Sequence, residues 1–427
     1  MTNHPHVTLI AGEASGDLYG ADLAARLKQM LPGVCIQGIG GSKMRRAGVE
    51  IIYDSSSWSA IGIAQSLRVV PRLLLALSKL RTHLRSFPPE VLVLIDFGAF
   101  NIQVGKRLRP EGSKVLYYIP PGSWNRGATY SKLNGIVDRV VTPFPWSAEA
   151  LKKRGIQADF FGHPLLDIVK PSMTREVFCE RFGFDPERPI IGLLPGSRTQ
   201  ELVHNLPTMV VAAARMLETM PELQFAIPPA QSVDPSGLAA ELAAVPWIDV
   251  EQFAEESDTQ SNSKKIAPRN IASSILALAR KEGLAAPASP IRIKVLPGMA
   301  YNVLAHSRAA VVASGTATVE AMILGCPMVI IYRGSRLTTL EYKLLGGRIK
   351  FIGMPNIILD RLAIPELTTD DATPERISEL MLKLIPDSPE RAEMSSDLAE
   401  AKAVLGSPGS VEKTARVVLE MLGLSAG

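Results

Sequence analysis

The stretch 309–333 tolerates few folds. Ala309–Ala313 is an apolar run that reads as a buried strand, and Ser314-Gly315-Thr316 makes a small, hydroxyl-rich turn. Thr316–Leu324 has helical composition until Gly325 and Pro327 stop it, and Met328–Tyr332 begins a second strand. A strand, a tight turn and a helix in that order leave backbone N–H groups at the positive end of a helix dipole, where an anion can sit. Glu320 falls about one turn into the helix, on the side that can reach a sugar hydroxyl beyond a phosphate. The plainer reading is a βαβ unit with a Gly-Thr cap, and the stretch alone fits either.

The same punctuation recurs along the chain. Val7–Ala11 is a short apolar strand followed by Gly12-Glu13-Ala14-Ser15-Gly16-Asp17 and a helix from about Leu18 to Met30, with Ser15 or Asp17 as N-cap. Val34–Gly38 ends in Gly38-Ile39-Gly40-Gly41-Ser42, and Val91–Ile95 runs directly into Asp96 before Phe97-Gly98-Ala99-Phe100-Asn101 starts a helix. Lys114–Ile119 is closed by Pro120-Pro121-Gly122-Ser123-Trp124, and Val137–Val141 and Asp159–Gly162 are shorter strands. After the connector Phe184–Pro189 the pattern restarts. Ile190–Leu194 leads to Pro195-Gly196-Ser197-Arg198, and Leu223–Ile227 and Ile291–Val295 follow, the latter before Pro297-Gly298-Met299.

This alternation predicts an α/β chain of two Rossmann-like, doubly wound parallel sheets with ligands at the carboxyl ends of the strands. At 427 residues the chain is too long for one core. The expected division is 1–180, 181–365 and a helical segment 366–427 that crosses back to the first domain. Neither early turn has the Gly-x-Gly-x-x-Gly spacing of a first dinucleotide-binding turn, so a nicotinamide cofactor is not expected. Thr259–Lys265 is polar, and Gln260–Ser289 reads as a surface excursion holding a short helix, Ile271–Lys281.

Net charge +4 suits an anionic ligand or membrane surface. Cys35, Cys179 and Cys326 lie far apart with no metal-ligand spacing, which fits a reducing compartment. The apolar part of the N-terminus is too short for a signal peptide, and no run reaches the ~18 residues of a spanning helix. A cytoplasmic protein, soluble or peripheral, is expected. Ile61–Phe87 carries Ile63, Leu67, Val70, Leu73, Leu74, Leu77 and Leu80 at helical spacing, interrupted by Pro71, with Arg68, Arg72, Lys79, Arg81 and Arg85 and no acid. Such a segment is either a membrane-surface helix or a core helix with a basic, solvated face. Leu337–Lys350 is a second basic, Leu-rich segment.

Asp96, at the carboxyl end of a strand, is either a general base toward a substrate hydroxyl or a helix cap. His163 is either a proton carrier or a residue that hydrogen-bonds across an interdomain cleft. Arg198 brings the side chain best suited to bidentate phosphate contact. With no acidic cluster beside these turns, a leaving diphosphate falls to Arg198 and helix N-termini, and no metal or other cofactor is expected. The layout is that of a two-domain glycosyltransferase with a nucleotide-diphosphate donor in the second half and a catalytic carboxylate in the first.

The chain resembles the lipid-A-disaccharide synthase family, inverting glycosyltransferases of the GT-B type. The matching segments are Ala11–Asp17, Ile95–Asn101, Gly162–Pro164, Leu193–Arg198, Gly298-Met299, Ala313–Tyr332 and Pro355-Asn356. The resemblance implies transfer of 2,3-diacylglucosamine from its UDP ester to 2,3-diacylglucosamine 1-phosphate, without nucleic acid as a partner. It implies Asp96 as base and Ser197, Arg198, Gly298, Met299, Ser314, Gly315, Thr316, Ala317, Glu320 and Asn356 as UDP-contacting positions. Glu13, Ser15, Asp17, Trp124 and His163 are the acceptor-side candidates. Arg68, Arg72, Leu73, Leu74, Leu77 and Arg81 coincide with the family's membrane-contacting region, on the inner face of the cytoplasmic membrane. A homodimer with exchanged carboxyl-terminal parts is also implied.

Two segments depart from the family pattern. Gly98 and Ala99 stand where Ile-Asp-Ala-Pro-Asp-Phe-Asn has its Pro and second Asp. Pro120–Asn125 stands for a Ser-Pro-Ser-x-Trp-Ala-Trp segment and keeps one Trp, so the donor side is better matched than the acceptor side. Related activities are another UDP-sugar or lipid acceptor, a UDP-sugar 2-epimerase, against which the acid-free helix speaks, and a silent nucleotide-binding protein, against which Asp96 speaks.

Overall fold

The computed structural model describes residues 4–55, 58, 63–128, 130–254, 266–287, 289–333 and 350–424, apart from the side chains of 63–69, 99, 199 and 200. The side chains of Ile63, Leu67, Arg68 and Ala99, the run Thr259–Lys265 and positions 337–349 of the second basic segment lie outside the described residues. The chain divides into two compact units, Met1–Ile168 with Ala403–Gly427, and Val169–Lys402. The boundaries therefore fall earlier and later than 180/181 and 365/366. Only the last helix, Ser410–Met421, rejoins the first unit, where it packs on the helix Ala14–Met30. Pro374–Leu384 stays with the second unit, against the helix Thr199–Thr219.

The first unit holds β1 (His6–Ala11), β2 (Cys35–Gly40), β3 (Glu50–Asp54), β4 (Val91–Ile95), β5 (Lys114–Tyr118), β6 (Arg139–Val141) and β7 (Ala158–Asp159). They form one parallel sheet in the order β3-β2-β1-β4-β5-β6-β7. The second unit holds β8 (Ile190–Leu194), β9 (Gln224–Ile227), β10 (Ile248–Gln252), β11 (Ile291–Val295), β12 (Ala309–Ala313), β13 (Met328–Tyr332) and β14 (Glu366–Thr368). Their order is β10-β11-β9-β8-β12-β13-β14, again all parallel. Helices cover both faces of such sheets, so central strands are apolar throughout. β4, β8 and β12 are buried at every position.

Three strands that pattern reading misses, β3, β10 and β14, are all sheet-edge strands. Half-exposed and charged (Glu50, Asp54, Asp249, Glu251, Glu366), they lack the continuous apolar run that a strand buried on both faces requires. The helix Ile271–Lys281 corrects the surface-excursion reading. Ile271, Ile275 and Ala279 are buried, and the helix packs on Thr199–Thr219 as part of the second unit's helical layer.

The helix Ile63–Ser86 answers both readings of its segment. Ala76, Leu80 and Leu84 are buried in the first unit's core, and Leu73 and Leu77 pack against that cluster. Leu73 and Leu77 are thus core-facing rather than surface contacts, because they share the helical stripe of Ala76 and Leu80. A second stripe points out: Val70, Leu74 and Leu75 are 41%, 60% and 51% exposed, beside exposed Arg72, Lys79, Arg81 and Arg85.

Candidate functional site

In a doubly wound sheet the chain leaves neighbouring strands in opposite directions at one point, and a crevice opens at their carboxyl ends. In the first unit that point lies between β1 and β4, which pair in register with Ala11 beside Ile95. The turn after β1 brings Ser15, and the turn after β4 brings Asp96. The Ser15 hydroxyl donates to Asp96 Oδ2 at 2.9 Å. Burial pushes the Asp96 carboxyl above its usual range, and the Ser15 hydroxyl and the Phe97 backbone pull it partly back.

The turn carrying Asp96 is strained. Asp96 and Phe97 have φ of 50° and 40°, and Ile119, one residue past β5, has φ of 59°. For a β-branched residue this is a true outlier, and three such residues at one sheet edge need outside support. Asn101 supplies it by donating to the carbonyls of Ile95 at 3.0 Å and Asp96 at 2.9 Å, and Tyr117 Oη donates to the Asp96 carbonyl at 2.9 Å. The Phe97 ring lies where a side chain at position 12 would be: a Cβ on Gly12 would come within 2.2 Å of it. The N-cap of the helix Gly98–Arg107 is Phe97, so Asp96 is not a helix cap.

The other first-unit candidates separate. Asp17 is buried, and its carboxylate accepts from the backbone N–H of Gly41 (2.6 Å), Lys43 (3.0 Å) and Met44 (3.1 Å). It is neither the N-cap of its own helix nor open to an acceptor, since it closes the start of Ser42–Arg46. The N-cap of Ala14–Met30 is the half-buried Glu13. His163 is buried among Tyr19 and Phe144, accepts from Leu165 N–H at Nδ1 (3.2 Å), and burial pushes it down to about 3. A ring that stays neutral at physiological pH is a poor proton carrier, so His163 takes a structural role within its own unit. Trp124 is 42% exposed in the turn after β5.

In the second unit the reversal lies between β8 and β12. Gly196 has φ of 123°, and a Cβ there would lie 2.6 Å from the Glu201 side chain. Glu201 Oε2 accepts from the N–H of Ser197 (2.9 Å) and Arg198 (3.3 Å), and Oε1 lies 3.3 Å from the Arg198 guanidinium. The carboxylate thus already fills the anion position of that turn, and the half-buried Arg198 side chain is engaged with it. The turn after β12 is the opposite case. Gly315, at φ 146°, is an N-cap with no side-chain bond, and the N–H groups of Thr316 and Ala317 have no partner among the described residues. Ser314 Oγ donates to the Ile352 carbonyl at 2.8 Å, and Glu320 stands half-buried one turn on.

At two of the expected positions the side chain is already engaged within the unit. Asn356 is fully buried, donating to Ile364 O and Glu366 Oε1 (both 2.7 Å) and accepting from Ala363 and Ile364 N–H (both 2.8 Å), so its side chain is spent on its own loop. Met299 buries its side chain among Phe178, Phe182 and Val303, leaving only backbone beside the exposed Gly298, whose φ is 77°. Residues that pattern reading missed are supports: Asn101, Asn205 and Glu366. Asn205 donates to Pro195 O at 2.8 Å and accepts from Arg333 N–H at 3.1 Å, tying the turn after β8 to the end of β13. Glu366 accepts from Ile352 and Gly353 N–H at 2.8 and 2.7 Å. Among the described residues no cluster of three His, Cys, Asp or Glu could hold a metal ion.

The family model described as lipid-A-disaccharide synthetase matches residues 7–241 and 248–420. The lipid-A-disaccharide synthase of Geobacter sulfurreducens is 34% identical over 423 residues, 99% of this chain and 98% of the relative. That of Myxococcus xanthus is 33% identical over 425 residues, 99% of each. Among solved structures, Staphylococcus aureus MnaA with UDP superposes with a TM-score of 0.62 at 11% identity, covering 99% and 98% of the two chains. Acinetobacter baumannii MurG superposes at 0.53 with 14% identity, covering 97% and 99%. At such identities these structures speak for the fold, two Rossmann-like units of the GT-B kind.

Proposed function

Given that the chain belongs to the lipid-A-disaccharide synthetase family, we propose that its reaction is divided between the two strand-reversal points, with Asp96 as the base. The chain is a hexosyltransferase of lipid A synthesis. It moves 2,3-diacylglucosamine from the UDP ester to 2,3-diacylglucosamine 1-phosphate, giving the disaccharide 1-phosphate and UDP. Asp96 takes the proton of the acceptor 6-hydroxyl as that oxygen bonds to C1 of the donor sugar. The C1–O bond to UDP breaks on the opposite face, inverting C1, and the electron pair leaves on the diphosphate. A carboxylate made more basic by burial suits this step. The leaving charge meets Arg198 and the open N–H groups of Thr316 and Ala317, with Glu320 toward the ribose.

The observation that carries the assignment is the Ser15–Asp96 pair on a doubly strained turn at the reversal point. The test is to incubate the pure protein with UDP-2,3-diacylglucosamine and the monosaccharide 1-phosphate and to look for disaccharide by mass. UDP binding without product would redirect the acceptor.

This reading includes a peripheral place on an anionic membrane surface, and no described helix is long and apolar enough to cross a membrane. The outward stripe of Val70, Leu74 and Leu75, flanked by Arg72 and Arg81, supports it. Replacing Val70, Leu74 and Leu75 with Ser is expected to release the protein from phosphatidylglycerol vesicles, with melting unchanged. Vesicle partition equal to wild type would return the stripe to ordinary solvated surface. The homodimer is checked by light scattering.

A further inference from the structure

We propose that the second unit binds a phosphate group in a cavity of about 400 Å³ at the amino ends of β8 and β12, lined by Arg175, Arg188, Arg308 and Arg391. Arg188 stands two residues before β8 and Arg308 directly before β12, where its backbone N–H donates to Ile190 O at 2.7 Å. Arg175 begins the helix Arg175–Phe182, and Arg391 lies in the first turn of Pro389–Val404. Both strands run parallel, so this edge of the sheet is opposite the turns that carry Gly196 and Gly315. The five residues of β8, at about 3.3 Å each, put roughly 15 Å between the two edges. A diphosphate held at those turns does not fill the cavity.

Backbone carbonyls set the four guanidiniums in place. Arg175 Nη1 donates to His306 O (2.6 Å) and Nη2 to Pro186 O (3.0 Å) and Arg188 O (3.4 Å). Arg188 Nε donates to Glu222 O (2.8 Å) and Nη2 to Pro221 O (3.2 Å). Arg308 Nε donates to Ile385 O (2.5 Å), and Arg391 Nη1 to Arg308 O (2.6 Å) and Leu384 O (2.8 Å). Carbonyls orient a guanidinium without cancelling its charge. Among the described residues one carboxylate is bonded to any of the four: Asp387, on Arg308, with its own side chain 92% exposed. Glu187, also in the lining, is exposed and bonds none of them. Arg391 Nε and Nη2, Arg188 Nη1, Arg308 Nη1 and Arg175 Nε have no partner among the described residues. Burial and the charge of Arg308 push Arg391 below the usual guanidinium range, so the fold holds like charges together. An oxyanion would meet unspent N–H groups and relieve that repulsion, and the fork of Arg suits phosphate. The volume admits a phosphorylated small molecule or a lipid headgroup.

The probe is inorganic pyrophosphate, titrated by calorimetry into protein that also holds saturating UDP, so that the turns at the other edge are occupied. Wild type is expected to bind it at one site and to melt higher with it. Arg391→Met and Arg308→Met should each weaken pyrophosphate about 10- to 100-fold, with UDP affinity unchanged. Both side chains also cap backbone, so each variant is compared with its own melting temperature without pyrophosphate. Asp387→Asn disturbs no buried group and frees Arg308 from its carboxylate; it should tighten pyrophosphate a few-fold. No binding to wild type, or an affinity untouched by Arg391→Met and Asp387→Asn alike, would leave the four side chains as caps of backbone and overturn the proposal. A parallel loss of UDP would put the pyrophosphate at the other edge and overturn it too. Phosphatidic acid vesicles separate the two sources. Partition that pyrophosphate reverses in wild type and that Arg391→Met lacks assigns the site to a headgroup, and equal partition of both proteins assigns it to a soluble phosphate.

Discussion

The two sheets reverse at comparable places, β1/β4 in the first unit and β8/β12 in the second, and the turns there are made of opposite materials. In the first unit the turn is closed. A carboxylate is held by one hydroxyl and the Phe97 backbone, on backbone with two successive positive φ values, and the Asp96 carbonyl is clamped by Asn101 and Tyr117. In the second unit the turn after β12 is small and exposed, with N–H groups left open. A base gains strength from burial, which disfavours its charged form; an anion receptor gains from unspent donors and loses them if the protein supplies its own anion. Within the second unit Glu201 does supply one, and so the donors of the turn after β8 are already engaged.

Replacing Asp96 is the largest expected break in this division. Asp96→Asn should lower transfer by about 10³-fold or more, with UDP affinity unchanged by calorimetry. An equal loss of UDP affinity would remove Asp96 from the base role. Stability should move the other way. The folded carboxyl titrates above the unfolded one, so between the two pKa values the folded state binds more protons and stability falls as pH rises. The destabilisation is complete above the folded pKa and absent below the unfolded one. Asp96→Asn is therefore expected to melt higher than wild type at neutral pH and to lose that advantage in acid. A lower melting temperature at neutral pH would mean that Asp96 supports the turn instead of straining against burial.

Next in size is Arg198→Met. Losing the guanidinium should cut kcat/KM about 100-fold and weaken UDP as well, because the charge acts on the diphosphate both bound and leaving. The comparison then predicts a crossed pattern: Asp96 variants lose rate alone, and Arg198 variants lose rate and UDP together. Full activity in Arg198→Met would leave the leaving charge to the open turn after β12.

How much of this is readable beforehand depends on whether a residue acts through its type or through its neighbours. The central strands are apolar runs because both sheet faces are covered, and the bounds of β8, β11, β12 and β13 follow directly. Edge strands escape, since half-exposed Glu50–Asp54 or Ile248–Gln252 carries no such run. The places of Asp96, Arg198 and Gly315 in the turns at the carboxyl ends of β4, β8 and β12 are legible because each closely follows a continuously buried strand. Asp17, His163 and Asn356 mislead for the complementary reason. Each is a polar residue in a functional-looking motif, but its bonds are spent on the protein, on backbone 24 or more residues away for Asp17 and on nearby residues for His163 and Asn356. Ser15 acts on a residue 81 positions later, a pairing that only the parallel register of β1 and β4 creates.

That pairing gives the smallest and sharpest test. Ser15 donates to the Asp96 carboxylate and so favours its charged form; its loss leaves burial less opposed and raises the carboxyl further. Ser15→Ala should therefore shift the acid limb of the kcat/KM profile to higher pH. The loss on that limb should be on the order of a few-fold, fading where Asp96 is fully ionised. UDP affinity and the Arg198-dependent behaviour stay as in wild type, since the hydroxyl touches only the first unit's turn. A limb that moves to lower pH, or a loss equal at every pH, would mean that Ser15 orients the acceptor rather than tunes the base. The Phe97 backbone and the clamp of Asn101 and Tyr117 on the Asp96 carbonyl would then be left to place the carboxylate.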